Sequence, residues 1–107
     1  MTAEESIVIK NLQKKAREVL PHGAHVWLYG SHARGDAHSD SDWDLLILLS
    51  KPSVTSQDED DVAYPLVVEG WKNNASVSPQ IYTYDEWENH SFTPYYKNVE
   101  EDKILIQ

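Results

Sequence analysis

Residues Trp43 to Leu49 read "WDLLILL" and are apolar at every position but Asp44. A continuous run of that kind is the signature of a central strand buried on both faces. Such a strand constrains everything around it, because its backbone groups must be paired by neighbouring strands and both its faces must be covered by other layers.

The remaining pattern supplies those neighbours. "EESIVIKNLQKKAREVL" places Val8, Leu12, Ala16, Val19 and Leu20 at helical spacing, opens with acids, carries Lys14, Lys15 and Arg17 later, and stops at "PHG", which predicts a first helix. "AHVWLYG" is a β-branched and aromatic run ended by Gly30 and predicts a first strand. "SHAR" follows as one or two helical turns, with Ser31 a good N-cap and Gly35 able to take the left-handed end conformation. After the central strand, "SKPSVTSQDEDD" reads as a surface loop feeding a helix over residues 61–72, where Pro65 implies a late start or a kink. "ASVSPQIYTY" predicts a third strand, confined by Pro79 to an edge or a bulge. "DEWENH" is a helical turn, "TPYYKNVEEDKIL" a last helix with Pro94 near its first position, and Ile104 to Ile106 an apolar tail. The order predicts a single α/β (α+β) domain over residues 1–107, with a small sheet of three or four strands.

Charge narrows the partners. Nine basic against eighteen acidic residues give a net charge of -9, which repels a nucleic-acid backbone and suits a cationic partner or an anion escorted by metal. Cysteine is absent, which excludes disulfides and thiolate zinc sites. With no apolar N-terminal signal and no membrane-length run, the expected compartment is the cytoplasm. A chain of 107 residues is small for an enzyme that must enclose a substrate. The second half of any cleft is expected from self-association or a partner, with Ile104 to Ile106 a candidate contact.

The junction ahead of the central strand, "GSHARGDAHSDSDWD", carries Asp36, Asp40, Asp42 and Asp44. Alternate strand residues share a face, so Asp42 and Asp44 are expected to point the same way about 6.5 Å apart, with Leu46 and Leu48 continuing that face inward. At that separation two carboxylates repel by roughly 2 to 3 kcal/mol in an effective dielectric near 20. A divalent cation, Mg²⁺ or Mn²⁺, offsets the repulsion and leaves positions for water and substrate phosphates. Upstream, Gly30 lets backbone approach a phosphate, and Ser31 adds a hydroxyl at the start of a helical turn. Together the two halves describe a metal-bridged triphosphate. Taken singly, each has an everyday reading as a capped turn or as Asp turn chemistry. An EF-hand loop is excluded, since the required Gly is Leu45 and the twelfth position is Lys51.

The histidines His22, His25, His32, His38 and His90 show no ligand spacing, which favours surface and packing roles, although His32 and His38 sit within the acidic loop. Trp27, Trp43, Trp71 and Trp87 are expected in the core or facing a partner, and Tyr82, Tyr84, Tyr95 and Tyr96 as sheet and interface aromatics.

"GSHARGDAHSDSDWDLLILL" resembles the signature of the polymerase beta-like nucleotidyltransferase superfamily, and in particular its minimal nucleotidyltransferase branch of small proteins often encoded beside a helical HEPN partner. The resemblance implies a mixed sheet with helices mainly on one face, a nucleoside triphosphate (ATP is the expected donor) with Mg²⁺, and transfer of a nucleoside monophosphate to a hydroxyl. By position, Gly30 and Ser31 would hold the triphosphate, and Asp42 and Asp44 would be the catalytic metal ligands. Arg34 matches the signature as well and would serve either the phosphates or the structure of the loop. One departure stands out. Active members carry a third carboxylate on the following strand, whereas "VSPQIYT" has none and Ser78 or Gln80 occupies the corresponding position. The implied alternative is a degenerate, antitoxin-like domain that binds a HEPN-type protein.

Overall fold

A computed structural model describes all residues, Met1–Gln107. Helix α1 spans Ala3–Val19 and starts at a capping box in which Thr2 and Glu5 each bond the other's backbone N–H. Strand β1 (His25–Tyr29) leads through Gly30 into the four-residue helix α2 (Ser31–Arg34). Strand β2 (Trp43–Leu49) is the predicted buried run. Next come α3 (Ser56–Asp58), a π-helical turn (Glu59–Ala63) and α4 (Tyr64–Lys72), as one continuous helical stretch. Strand β3 (Val77–Thr83), helices α5 (Tyr84–Glu88) and α6 (Pro94–Asp102), and strand β4 (Ile104–Leu105) complete the chain.

The sheet runs β3-β2-β1-β4, with β2 parallel to β3 and the other pairings antiparallel. Strand β2 is internal, as its apolar sequence requires, and β3 is an edge, where Pro79 without an N–H is tolerated. Alternation along the strands splits the core in two. Val26, Leu28, Leu45, Ile47 and Leu49 pack against Val8, Leu12 and Ala16 of α1 and Leu66 of α4. Leu46 and Leu48 face the other way, onto Trp87 of α5 and Val99 of α6. Helices α1 and α4 therefore lie on one face, and α5 and α6 on the other.

Two boundaries differ from the sequence expectation. The helix expected over residues 61–72 begins at Ser56, because Thr55 and Asp58 form a capping box inside the segment read as loop. Pro65 neither delays nor ends it. Its missing N–H and its ring break the ordinary pattern one turn back, and the chain accommodates this by widening, the Tyr64 N–H reaching Glu59 C=O across a π turn. The last helix stops at Asp102 instead of running to Leu105. Ile104 and Leu105 leave it to pair with β1, and Ile106 and Gln107 bond the backbone of Val26. In the apolar tail Ile106 is buried, while Ile104 and Leu105 are exposed on the edge strand. Trp43 and Trp87 are core residues, whereas Trp71 is 59% exposed on α4.

Candidate functional site

The candidate site forms where β1 ends and β2 begins. Gly30 has φ +76° and ψ −156°, a region essentially restricted to glycine, and a Cβ there would run into the Asp44 carboxylate. Both conditions exclude other residues, and the second puts the turn directly against Asp44. The Gly30 C=O accepts from the Ala33 and Arg34 N–H groups, and Gly35, at φ +86°, closes the short helix by donating to the Ser31 C=O. The first N–H groups of such a turn have no intrahelical acceptor.

Asp44 is held by the sheet. Its partners across the ladders are Tyr29 on β1 and Ser78 on β3, all three on one face together with Leu46 and Leu48. It is half-buried, and burial pushes its carboxyl above the usual range, with the Asp42 charge adding to the effect and His32 and Arg34 opposing it. Asp42 stands exposed one residue ahead of the ladder, close enough for its charge to be felt. No group of three or more His, Asp or Glu side chains comes together. Two carboxylates beside a glycine turn fit a hard, oxygen-seeking cation such as Mg²⁺, which completes its shell with water and phosphate oxygens, and do not fit a cation that needs an all-protein cage.

The strand supplies no further acid. Ser78 lies directly opposite Asp44, and Gln80 opposite Leu46. Asp85 and Glu86 follow Thr83, which is five residues and roughly 16 Å of strand beyond Ser78. Glu86 is also engaged there, its carboxylate accepting from the Thr83 N–H at 2.8 Å. Glu69, on α4, bonds the Asn73 side chain.

Arg34, the last residue of α2, is engaged with two carboxylates. Its Nη1 donates to Asp102 of α6 at 2.8 Å and its Nε to Asp36 at 3.2 Å, and these bonds raise its already high pKa. These bonds tie the loop to α6. His32 is buried, stacked on Trp43 with ring centroids 3.8 Å apart, and bonded through Nδ1 to Glu5 and through Nε2 to the Ser41 C=O. It ties the acidic loop to α1. The Glu5 carboxyl is held below its usual range by the Thr2 backbone N–H and by His32. His38 remains in the loop, its backbone N–H bonded to the Ser41 hydroxyl.

A residue the sequence did not single out also lies here. Tyr29 sits beside Asp44, and its hydroxyl meets that of Tyr95 from α6 at 3.1 Å, the rings edge to face. Burial raises both phenols' pKa values, and the charge of Asp44 adds to this. A concavity of about 710 Å³ lies elsewhere, among Thr2, Glu5, Ile7, His38, Trp43 and Lys72. Neither Asp42 nor Asp44 lines it.

No helix is long and apolar enough to cross a membrane. No protein of curated function matches the sequence. Among solved structures, a toxin–antitoxin crystallised with AMP-PNP shares the fold at 17% identity and TM-score 0.65, over 92% of this chain and 72% of that one. A candidate nucleotidyltransferase from Sulfolobus solfataricus does so at 20% identity and TM-score 0.55, over 95% and 81%. A family model described as "Nucleotidyltransferase domain" matches residues 9–106, and the chain belongs to that family.

Proposed function

We propose that residues 1–107 form a single nucleotidyltransferase-like domain that binds a nucleoside triphosphate, with ATP the expected donor, together with Mg²⁺ or Mn²⁺, and transfers a nucleoside monophosphate to a hydroxyl. The observation that carries this reading is the contact geometry of Gly30 with Asp44, which leaves room for no side chain between the turn and the carboxylate. Gly30 and Ser31 would receive the β- and γ-phosphates, and Asp42 and Asp44 would hold the cation, which when bound neutralises charge building on the phosphates. In the transfer the acceptor oxygen bonds to the α-phosphorus as the bond to the β-phosphate oxygen breaks. Pyrophosphate leaves, and the hydroxyl proton passes to a base. Arg34 keeps the loop in place through Asp102 and Asp36. A cysteine-free chain fits a reducing cytoplasm.

A second reading rests on β3. With Ser78 opposite Asp44, the strand offers no proton acceptor, a contribution typically worth about 10²- to 10⁴-fold in rate. A degenerate domain would keep the nucleotide and act by binding a HEPN-type helical protein. The toxin–antitoxin neighbour with its bound AMP-PNP supports a protein partner and a nucleotide together. The open site supports a partner, or a second copy, closing the cleft.

Calorimetry with ATP and GTP plus Mg²⁺, on the native chain and on Asp42→Asn with Asp44→Asn, tests the common core. Label transfer from an α-labelled triphosphate, run with a co-expressed partner, separates the two readings. Identical binding by native and double-variant chains would remove the basis for both.

A further inference from the structure

The row Tyr29, Asp44 and Ser78 crosses three strands at one level and on one face. Taking the proposed function as given, a triphosphate on the Gly30–Ser31 turn has its α-phosphorus within reach of a cation held by Asp44. Pyrophosphate then leaves toward the turn, beyond the strand end. In-line attack brings the acceptor from the opposite side, over β3 and Ser78. The sugar hangs one ester bond from the α-phosphorus and needs a third direction. Bordering Asp44 next to the turn is Tyr29, with Tyr95 bonded to its hydroxyl.

The pair has something to offer a sugar. Two phenols carry two O–H protons, and the 3.1 Å bond between them uses one. The other is left to donate, at an exposed position, from rings whose aromatic contacts hold them in place, Tyr95 against both Tyr29 and Trp87. Side chains fixed in this way lose little entropy on binding a ligand.

We propose that the Tyr29–Tyr95 hydroxyl pair is the ribose-recognition element of the site, its free proton donated to a sugar hydroxyl of the bound nucleoside triphosphate. One such bond predicts about three- to tenfold preference for a ribonucleotide over its dideoxy counterpart.

The test is calorimetry with Mg²⁺ and no acceptor, using ATP and 2′,3′-dideoxy-ATP on the native chain, Tyr29→Phe, Tyr95→Phe and Asp44→Asn. The native chain should favour ATP by that factor. The Phe variant that removes the donating hydroxyl should lower ATP affinity toward the dideoxy value, both should leave dideoxy-ATP affinity unchanged, and melting temperatures should confirm that both fold. Equal native affinity for the two nucleotides overturns the inference, as does a preference that survives both Phe variants. Asp44→Asn should weaken both nucleotides alike. If it does while the preference is missing, the ribose element alone fails, whereas absence of Mg²⁺-dependent binding in the native chain removes the function reading with it.

Discussion

Asp44→Asn should make the metal-free protein more stable. The folded state raises the Asp44 carboxyl above its ordinary range through burial first and Asp42 second, so folding opposes the charged form. At about 6.5 Å and an effective dielectric near 20 the bare repulsion is about 2.5 kcal/mol. Asp42 is exposed and Asp44 only half-buried, so screening reduces the expected gain to about 1 kcal/mol, or about 4 °C in melting temperature for a chain of this size. The sign follows from linkage. A carboxyl whose folded pKa is raised costs stability above that pKa, and the cost disappears as pH falls through it toward the unfolded value. The advantage of Asn should therefore be full at neutral pH and vanish in acid. Magnesium should reverse the ranking, because a cation at ten times its Kd stabilises the native chain by about 1.4 kcal/mol and the variant by much less. Thermal melts at neutral and acid pH, with and without Mg²⁺, check all three points. A variant no more stable than native at neutral pH without metal would refute the reasoning.

Gly30→Ala should cost about 1 to 3 kcal/mol through its positive φ, displace the Asp44 carboxylate, and abolish Mg²⁺-dependent nucleotide binding by calorimetry. Ser78→Asp sets a like charge opposite Asp44 and should destabilise the metal-free chain by about 1 kcal/mol. Mg²⁺ should restore its melting temperature, and a rise in label transfer would identify the strand acid as the missing group. Leu12→Ala removes a fully buried contact between α1 and the sheet and should cost about 2 to 5 kcal/mol in urea unfolding. Glu5, with its lowered pKa, contributes stability that is present above its unfolded value and is lost as pH falls through the folded one. Glu5→Gln should accordingly flatten the acid limb of the pH–stability curve.

Most of the fold was legible because local and tertiary demands agree. The unbroken apolar run of β2 could only be internal, and Pro79 could only be at an edge. The misreadings fall where they conflict. Helix α3 hid behind acidic composition, although Thr55 and Asp58 carry the spacing of a capping box. Ile104 and Leu105 continue a helical pattern, but the unpaired edge of β1 draws them into the sheet, a long-range demand that no local window contains.

The site divides along the same line. Gly30, Ser31, Asp42 and Asp44 could be singled out in the sequence because their pattern is local, a turn only glycine can make and charges that need an explanation. The bond from Arg34 to Asp102, 68 positions along the chain, is a long-range contact that no local window contains. Tyr29 was invisible for a sharper reason. Nothing in "VWLYG" distinguishes its tyrosine from an ordinary strand aromatic until the antiparallel register sets it opposite Asp44 and α6 delivers a second phenol. The acidic loop fixes what the site can hold, and the register decides what can stand beside it. If the chain has traded a third carboxylate for an unusual acceptor or partner, the change has to be sought on the β1 and β3 flanks of Asp44, where Tyr29 and Ser78 stand.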